Sequence, residues 1–319
     1  MVLRIGWVGF HAEGLLAFDA LFGQERVVIP GVVTLASEKR AKRSGMIDYQ
    51  PLCARHRIPV HDITNINDAA SVELLRSFEV DLLCVIGWGQ ILRREALSVA
   101  RIGVVGTHAS LLPHNRGSAP VNWAIIRGEC GTGNTLMWLS EEVDGGRIID
   151  QVPITITPYD TCATIYNQVA LTNRDMLLRL VGALLNGERP GRPQPWTTEA
   201  LLPRRRPEDG VIDWSERESS VYDFVRALSR PYPGAFSWID GQKWTIWNAA
   251  SLPATARYGR MPGEVLGGVM SPSAAACGQL VATGRGAVII LEMESEDGQI
   301  VSGRDLCDER WIGRRWSNA

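Results

Sequence analysis

Residues 104–146 hold the side chains with the most evident chemistry. His108 follows an apolar strand-like run. SLLP (110–113), RGSAP (116–120), Asn122 and Trp123 come next, and an acidic glycine turn, SEEVDGG, closes the stretch at 140–146. A histidine at the carboxyl end of a buried strand is placed to accept or donate a proton near neutral pH. Asp144 on a tight turn can orient that imidazole and hold it protonated while negative charge builds on a substrate oxygen. A lone histidine is usually structural. This one sits in a loop framed by proline and glycine with a carboxylate partner, and that context points to proton-transfer chemistry.

Other patterns carry less. GWVGF at 6–10 lacks the G-x-G-x-x-G spacing and has His11 where a third close-packing glycine would help, so it reads as an ordinary strand-to-helix turn. Neither a G-x-x-x-x-G-K-[ST] loop nor a G-x-S-x-G elbow is present. His56 and His61 have no cysteine or carboxylate at ligand spacing, so no metal is expected. Lys39, Arg40, Lys42 and Arg43 read as a solvated loop within reach of an anionic substrate. Arg204, Arg205 and Arg206 read likewise, at a domain junction where a phosphate could be met.

The elements that must position His108 alternate. Strand-like runs at 3–8, 27–35, 59–63, 81–86 and 103–107 are separated by helical patterns at 13–22, 49–56, 69–78 and 93–100. This alternation predicts a Rossmann-like, doubly wound α/β sheet, with its site beyond the carboxyl ends of the strands. Two further β-like runs (134–139 and 148–156) and a long amphipathic helix (163–185) follow. Residues 186–210, dense in Pro, Gly, Arg and Thr, have the composition of a linker crossing a surface. Beyond a short helix at 221–228, short β-runs parted by Gly, Pro and Ser predict a small β-barrel-like (OB-like) domain. The expected division is a catalytic domain at 1–188, a linker at 189–206 and a C-terminal domain at 207–319.

Composition narrows the function classes. The chain has 319 residues, 45% of them apolar and 21% charged, near globular averages and long enough for two domains. With 33 basic and 35 acidic side chains it lacks the basic excess of a dedicated nucleic-acid binder. No apolar run reaches membrane-spanning length and no signal peptide is evident, so a cytoplasmic protein is expected. Six scattered cysteines without a C-x-x-C pair read as reduced core thiols. Eleven tryptophans are an unusual number, several of them in the second half.

The string HASLLPHNRGSAPVNW (108–123), followed by SEEVDGG, resembles the 10-formyltetrahydrofolate-dependent formyltransferases. That family includes the glycinamide ribonucleotide, methionyl-tRNA and sugar-nucleotide formyltransferases. Residues 207–249 look like the C-terminal domain shared by methionyl-tRNA formyltransferases and UDP-4-amino-4-deoxy-L-arabinose formyltransferases. RPYPGAFSWIDGQKWTIW is especially like the latter. The resemblance implies that His108 is the catalytic histidine and Asp144 the carboxylate that tunes it. It places Gln90, Ile91 and Leu92 along the folate pocket, and Ser140, Glu141, Glu142, Val143 and Asp144 on the loop that receives the pterin. Ser110, Arg116, Asn122 and Trp123 are the corresponding substrate candidates. Trp123, Tyr222 and Tyr232 could stack on a base or sugar or simply pack in a core. The co-substrate implied is 10-formyltetrahydrofolate, with no metal, and homodimers are frequent in the family.

One position departs from the pattern. The family carries asparagine two residues before the histidine, and here that residue is Gly106. The asparagine normally donates to the oxyanion formed when an amine attacks the formyl carbon; losing such a donor costs about 10²–10³ in rate. Three readings follow. The first is an N-formyltransferase for a nucleotide-linked amino sugar in surface-glycan or lipopolysaccharide synthesis. The second is a methionyl-tRNA formyltransferase, and the third a folate- or nucleotide-binding relative without catalysis. From Arg204 to the end there are 14 basic and 15 acidic residues, which disfavours a tRNA-gripping domain.

Overall fold

The computed structural model describes residues 2–41, 43–252 and 260–318; Lys42 of the basic cluster lies outside them. The chain divides into two units. The first comprises Met1–Pro120, Gly131–Thr155 and Ile165–Pro203, and the second Val121–Cys130, Ile156–Thr164 and Arg204–Ala319. Residues 189–203, expected as part of a linker, therefore group with the first unit.

In the first unit, β1 (Leu3–Val8), α1 (Leu15–Leu21), β2 (Val27–Val28), β3 (Val32–Leu35), α2 (Ser37–Arg40), α3 (Gln50–His56), β4 (Val60–Ile63), α4 (Ala69–Ser77), β5 (Leu82–Val85), α5 (Arg94–Leu97) and β6 (Gly103–His108) alternate as the sequence predicts. The run 27–35 splits into two strands at Pro30 and Gly31. Proline has no N–H to give a ladder. A Cβ on Gly31 would lie 2.6 Å from the Phe78 ring. The helix expected at 93–100 shortens to the single turn α5. α6 (Pro120–Ile126), which the sequence reading did not separate from its motif and which groups with the second unit from Val121 on, opens on a proline whose fixed φ suits a first turn. β7 (Gly131–Trp138), β8 (Ile148–Thr155) and α7 (Cys162–Leu185) follow.

The strand order is β4-β3-β1-β5-β6-β7-β8, with β2 also on β1; β1 to β6 run parallel, and β7 and β8 antiparallel. After β1 the chain winds outward to β3 and β4, then returns to the other side of β1 for β5 and β6. The carboxyl ends of β1 and β5 thus form the switch point, where a doubly wound sheet opens a crevice. Every residue of β5 is buried, as expected for a parallel strand covered on both faces. One face carries Phe18, Leu82, Cys84, Met176 and Leu180; the other carries Leu75, Leu83, Val85 and Val104. In α7, Met176, Leu177, Leu180, Val181 and Leu184 recur at helical spacing on that first face.

The second unit contains α8 (Glu218–Leu228), β9 (Ala235–Ile239), β10 (Gln242–Leu252), β11 (Val265–Val269), β12 (Gly278–Ala282), β13 (Ala287–Ser295), β14 (Ile300–Ser302) and β15 (Trp316–Ser317). They form an antiparallel sheet in the order β11-β12-β13-β10-β9-β15. Its edges are laced together where Val265 N donates to Arg314 O and Trp316 N to Gly263 O, both at 2.9 Å. The result is the barrel-like domain expected. Much of the tryptophan surplus is its core. Trp214 stacks on Trp316 with centroids 6.1 Å apart, and Trp244 meets Trp311 edge-on at 6.0 Å. Trp214 Nε1 donates to Ser237 Oγ and Trp316 Nε1 to Gln279 Oε1, whereas the Trp244 and Trp311 indole N–H groups are buried without a partner.

No cysteine is paired in a disulfide among the described residues, and Cys130 is exposed. Burial pushes the Cys53 thiol up to about 11, with Asp48 adding to it. Burial also pushes Cys162 up to about 11, against hydrogen bonding from Ser229, and Cys84 further still. Raised values leave these thiols neutral at pH 8, with a thiolate fraction of about 10⁻³ at Cys53 and Cys162. Iodoacetamide at pH 8 is therefore expected to label Cys130 in the native protein and to reach Cys53, Cys84 and Cys162 only after denaturation, as read by peptide mass mapping. Native labelling of Cys84 at the rate of Cys130 would contradict the burial described.

Candidate active site

β6 carries His108 to the carboxyl edge of the sheet. In register, Val85 lies beside Gly106 on one flank, and Thr135 faces His108 on the other. The imidazole is buried. Its Nε2 lies 2.8 Å from the carbonyl oxygen of Asn115, and its Nδ1 3.5 Å from Asp144 Oδ2. A carbonyl and a carboxylate only accept, so in each contact the donor is the ring nitrogen that faces it. The two catalytic candidates are brought together as the sequence predicts.

Asp144 sits on the turn joining β7 to β8, with φ at 49°. Its Oδ2 also accepts from Gly117 N at 2.9 Å. The turn closes through Gly145 N to Glu142 O, and Ser140 Oγ donates to Glu142 O. Position 146 admits only glycine, because a Cβ there would fall 1.7 Å from Trp138 O. Glu141 and Glu142 are exposed, and Val143 is half-buried. The pterin-loop candidates are therefore contiguous with Asp144.

The loop after His108 is held from below by residues that the sequence reading missed. Thr135 Oγ1 donates to Ser110 O at 2.6 Å and accepts from Leu112 N. Gln151 Nε2 donates to Leu112 O at 2.9 Å. The signal was available only as strand pairing, since Thr135 lies opposite His108 and Gln151 opposite Thr135. Ser110 is buried and its Oγ donates to His114 O at 2.7 Å. Its hydroxyl therefore shapes the loop that carries the substrate candidates. Arg116 Nη1 reaches Glu142 Oε1 at 2.6 Å, joining the two turns, while its Nε is buried without a partner.

Asn122 and Trp123 lie in the second unit. Asn122 is fully buried with Nδ2 donating to Ala227 O at 2.6 Å, so it ties α6 to α8. Trp123 lies beneath the Arg205 and Arg127 guanidinium groups, at 5.0 and 5.8 Å. Tyr222 donates from its hydroxyl to Pro158 O at 2.6 Å, and Tyr232 follows the turn closed by its N–H on Ser229 O.

The segment after β5 forms the other wall. Gln90 Oε1 accepts from Ile66 N and its Nε2 donates to Thr64 O, while Asn67 bridges Ile91 O and Arg93 N. These two amides peg 64–67 to 90–93. Leu92 is buried in the core and Ile91 is 58% exposed. Trp88 Nε1 is buried without a partner, and nothing lies within 4 Å of where a Gly89 Cβ would stand. An orphaned donor, open space and an exposed aliphatic side chain suit a flat heteroaromatic ligand.

Residues 24–181 match the formyl transferase family model, and residues 205–310 match the model for the formyl transferase C-terminal domain. Among solved structures, HypX from Aquifex aeolicus in complex with tetrahydrofolic acid aligns at 20% identity and TM-score 0.63, over 95% of this chain and 46% of its own. The present chain thus spans about half the length of HypX. An N-formyltransferase from Helicobacter canadensis, in complex with folinic acid and dTDP-3-aminofucose, aligns at 14% identity and TM-score 0.64, over 91% and 99%. Methionyl-tRNA formyltransferase from Clostridium thermocellum aligns at 17% and 0.59, over 79% and 94%.

Position 106 has no room for the asparagine expected there. A Cβ on Gly106 would lie 2.9 Å from Leu139 Cδ2 and 3.0 Å from Val85 O. Gly106→Asn is therefore expected to destabilise the first unit by about 1–3 kcal/mol, the usual range for overpacking. Adding Leu139→Ala should recover part of that loss because it vacates the nearest atoms. Urea titrations of the single and double variants check this; a neutral Gly106→Asn would refute the steric account.

Proposed function

Because the chain belongs to the formyltransferase family, we propose that it transfers the formyl group of 10-formyltetrahydrofolate to the primary amine of a nucleotide-linked amino sugar. The observation that carries this reading is the buried His108, held between the carboxylate of Asp144 and the carbonyl of Asn115 at the carboxyl edge of the sheet. The co-substrate supplies an activated one-carbon unit on a nitrogen leaving group. The segment 88–92 and the turn 140–144 offer its ring an orphaned indole N–H, an exposed Ile91 and backbone groups.

In the reaction, the acceptor amine attacks the formyl carbon, the bond from that carbon to the folate nitrogen breaks, and the proton lost by the amine ends on that nitrogen. His108 Nε2 exchanges the Asn115 carbonyl for the formyl oxygen and donates to it as negative charge gathers there, while Asp144 holds the ring through Nδ1. Gly117 N–H fixes the carboxylate in the orientation that faces the ring. With no side chain at 106, stabilisation of the oxyanion falls to His108 and to neighbouring backbone.

An amino-sugar nucleotide as acceptor is supported by the near-neutral charge from Arg204 onward, 14 basic against 15 acidic residues, where gripping tRNA phosphates favours a basic excess. It is also supported by the likeness of the RPYPGAFSWIDGQKWTIW string to sugar formyltransferases. The Helicobacter canadensis structure, solved with a dTDP-amino sugar, gives the same direction.

The test is tetrahydrofolate release from 10-formyltetrahydrofolate in the presence of a panel of UDP-, GDP- and dTDP-linked amino sugars. Formamide formation with at least one of them is expected. His108→Ala should lower kcat by about 10²–10⁴ and Asp144→Asn by about 10² or more, each with folate binding retained. Transfer to methionyl-tRNA with none to any amino sugar would overturn the acceptor assignment. Tight folate binding without turnover on any acceptor would overturn the enzymatic one.

A further inference from the structure

Residues 189–202 contain Pro190, Pro193 and Pro195, and no helix or strand. Yet the segment is tied down along its length. Trp138 Nε1 donates to Pro190 O and Arg147 Nη2 to Gly191 O. Arg192 pairs with Ile148 through two backbone bonds of 2.8 Å. Gln194 Nε2 then donates to Asp144 O at 2.6 Å and to Gly146 O at 2.8 Å. Farther on, Glu199 meets His114 Nδ1 at 2.5 Å and accepts from Asn115 N at 3.4 Å. Leu202 accepts from Ser118 N and donates to Arg116 O.

The two groups of contacts fall on the two turns that hold His108. One turn carries Asp144, and the other carries the Asn115 carbonyl and the Gly117 N–H. Asp144 and Asn115 both have left-handed backbone, with φ of 49° and 55°, a turn conformation that Asp and Asn adopt more readily than other non-glycine residues. We propose that residues 189–202 are a strap that fixes the spacing of these turns, with Gln194 as a positioning residue for Asp144 and Glu199 for the Asn115 turn. Prolines suit this task, because their fixed φ leaves little slack between anchors. Gln194 touches no reacting atom in this scheme; it acts through the turn whose carbonyls it binds.

The kinetic part rests on the formyltransferase reading, whereas the spectroscopic part does not. In Gln194→Ala, kcat is expected to fall by about 10–100-fold with KM for both substrates within about twofold, since small misplacement of catalytic groups carries losses of that order. In the ligand-free protein the His108 ring ¹H–¹⁵N signals should shift, while those of His56 and His61 stay in place. Glu199→Ala should act in the same direction and more weakly, and Glu199→Gln, which keeps the acceptor, should restore most of the loss. Wild-type kcat in folded Gln194→Ala, or a lower kcat with unmoved His108 signals, would overturn the strap. If the wild-type protein transfers no formyl group, the functional reading fails and the ring signals alone decide the strap. If Gln194→Ala does not fold, Glu199→Ala decides it.

Discussion

The hydrogen bond from Gly117 N–H to Asp144 Oδ2 is the contact on which the site depends. It joins two segments 27 residues apart in sequence and leaves the carboxylate facing the His108 ring. A backbone donor is well chosen for this. Its position is set by the chain path and not by a rotamer, and at φ 111° only glycine places it without strain. A carboxylate that must serve both an amide and an imidazole has little freedom to rotate. The ring is correspondingly confined between it and the Asn115 carbonyl.

That contact in turn requires the sheet. β6 lies next to β5 at the switch point, so His108 emerges beside the crevice that the winding order creates. β7, antiparallel to β6, leads into the turn from which Asp144 reaches the His108 ring, and the register that sets Thr135 opposite His108 supports the loop from beneath. The polar atoms beneath the His108 loop are partnered: Thr135 Oγ1 alone has three neighbours in Ser110, Leu112 and Gln151. Such a network is stable only when complete, because a buried group left without a partner is strongly destabilising.

The local patterns were readable from the amino acids. Period-3.6 helices, the fully apolar β5 and the motif around His108 follow from chemistry expressed within a few residues, and the formyltransferase resemblance rests on the same strings. What could not be read was everything set by contacts distant in sequence. Gln151 and Gln194 are ordinary polar residues until strand pairing and the path of 189–202 bring them to Leu112 O and Asp144 O. Ser110 and Asn122 stand in the motif, yet their side chains bind His114 O and Ala227 O, since a buried hydroxyl or amide must find a partner wherever the fold provides one. The segment 189–203 has a linker's composition because proline and glycine suit any extended tether, whether slack or fastened at both ends.

Gly106 shows how a departure from a family pattern can be structural at its root. In β6 its neighbours are Val85 on one side and Met137 on the other, and the volume above it is filled by Leu139, which packs against both hydrophobic layers of that edge. Glycine and leucine at these positions are complementary, so the absence of an amide side chain at 106 is a repacking of the strand and not a hole in it. A hole would admit water, which could take the place of the missing donor. A leucine methyl fills that volume instead, so the wall beside Gly106 is apolar and packed.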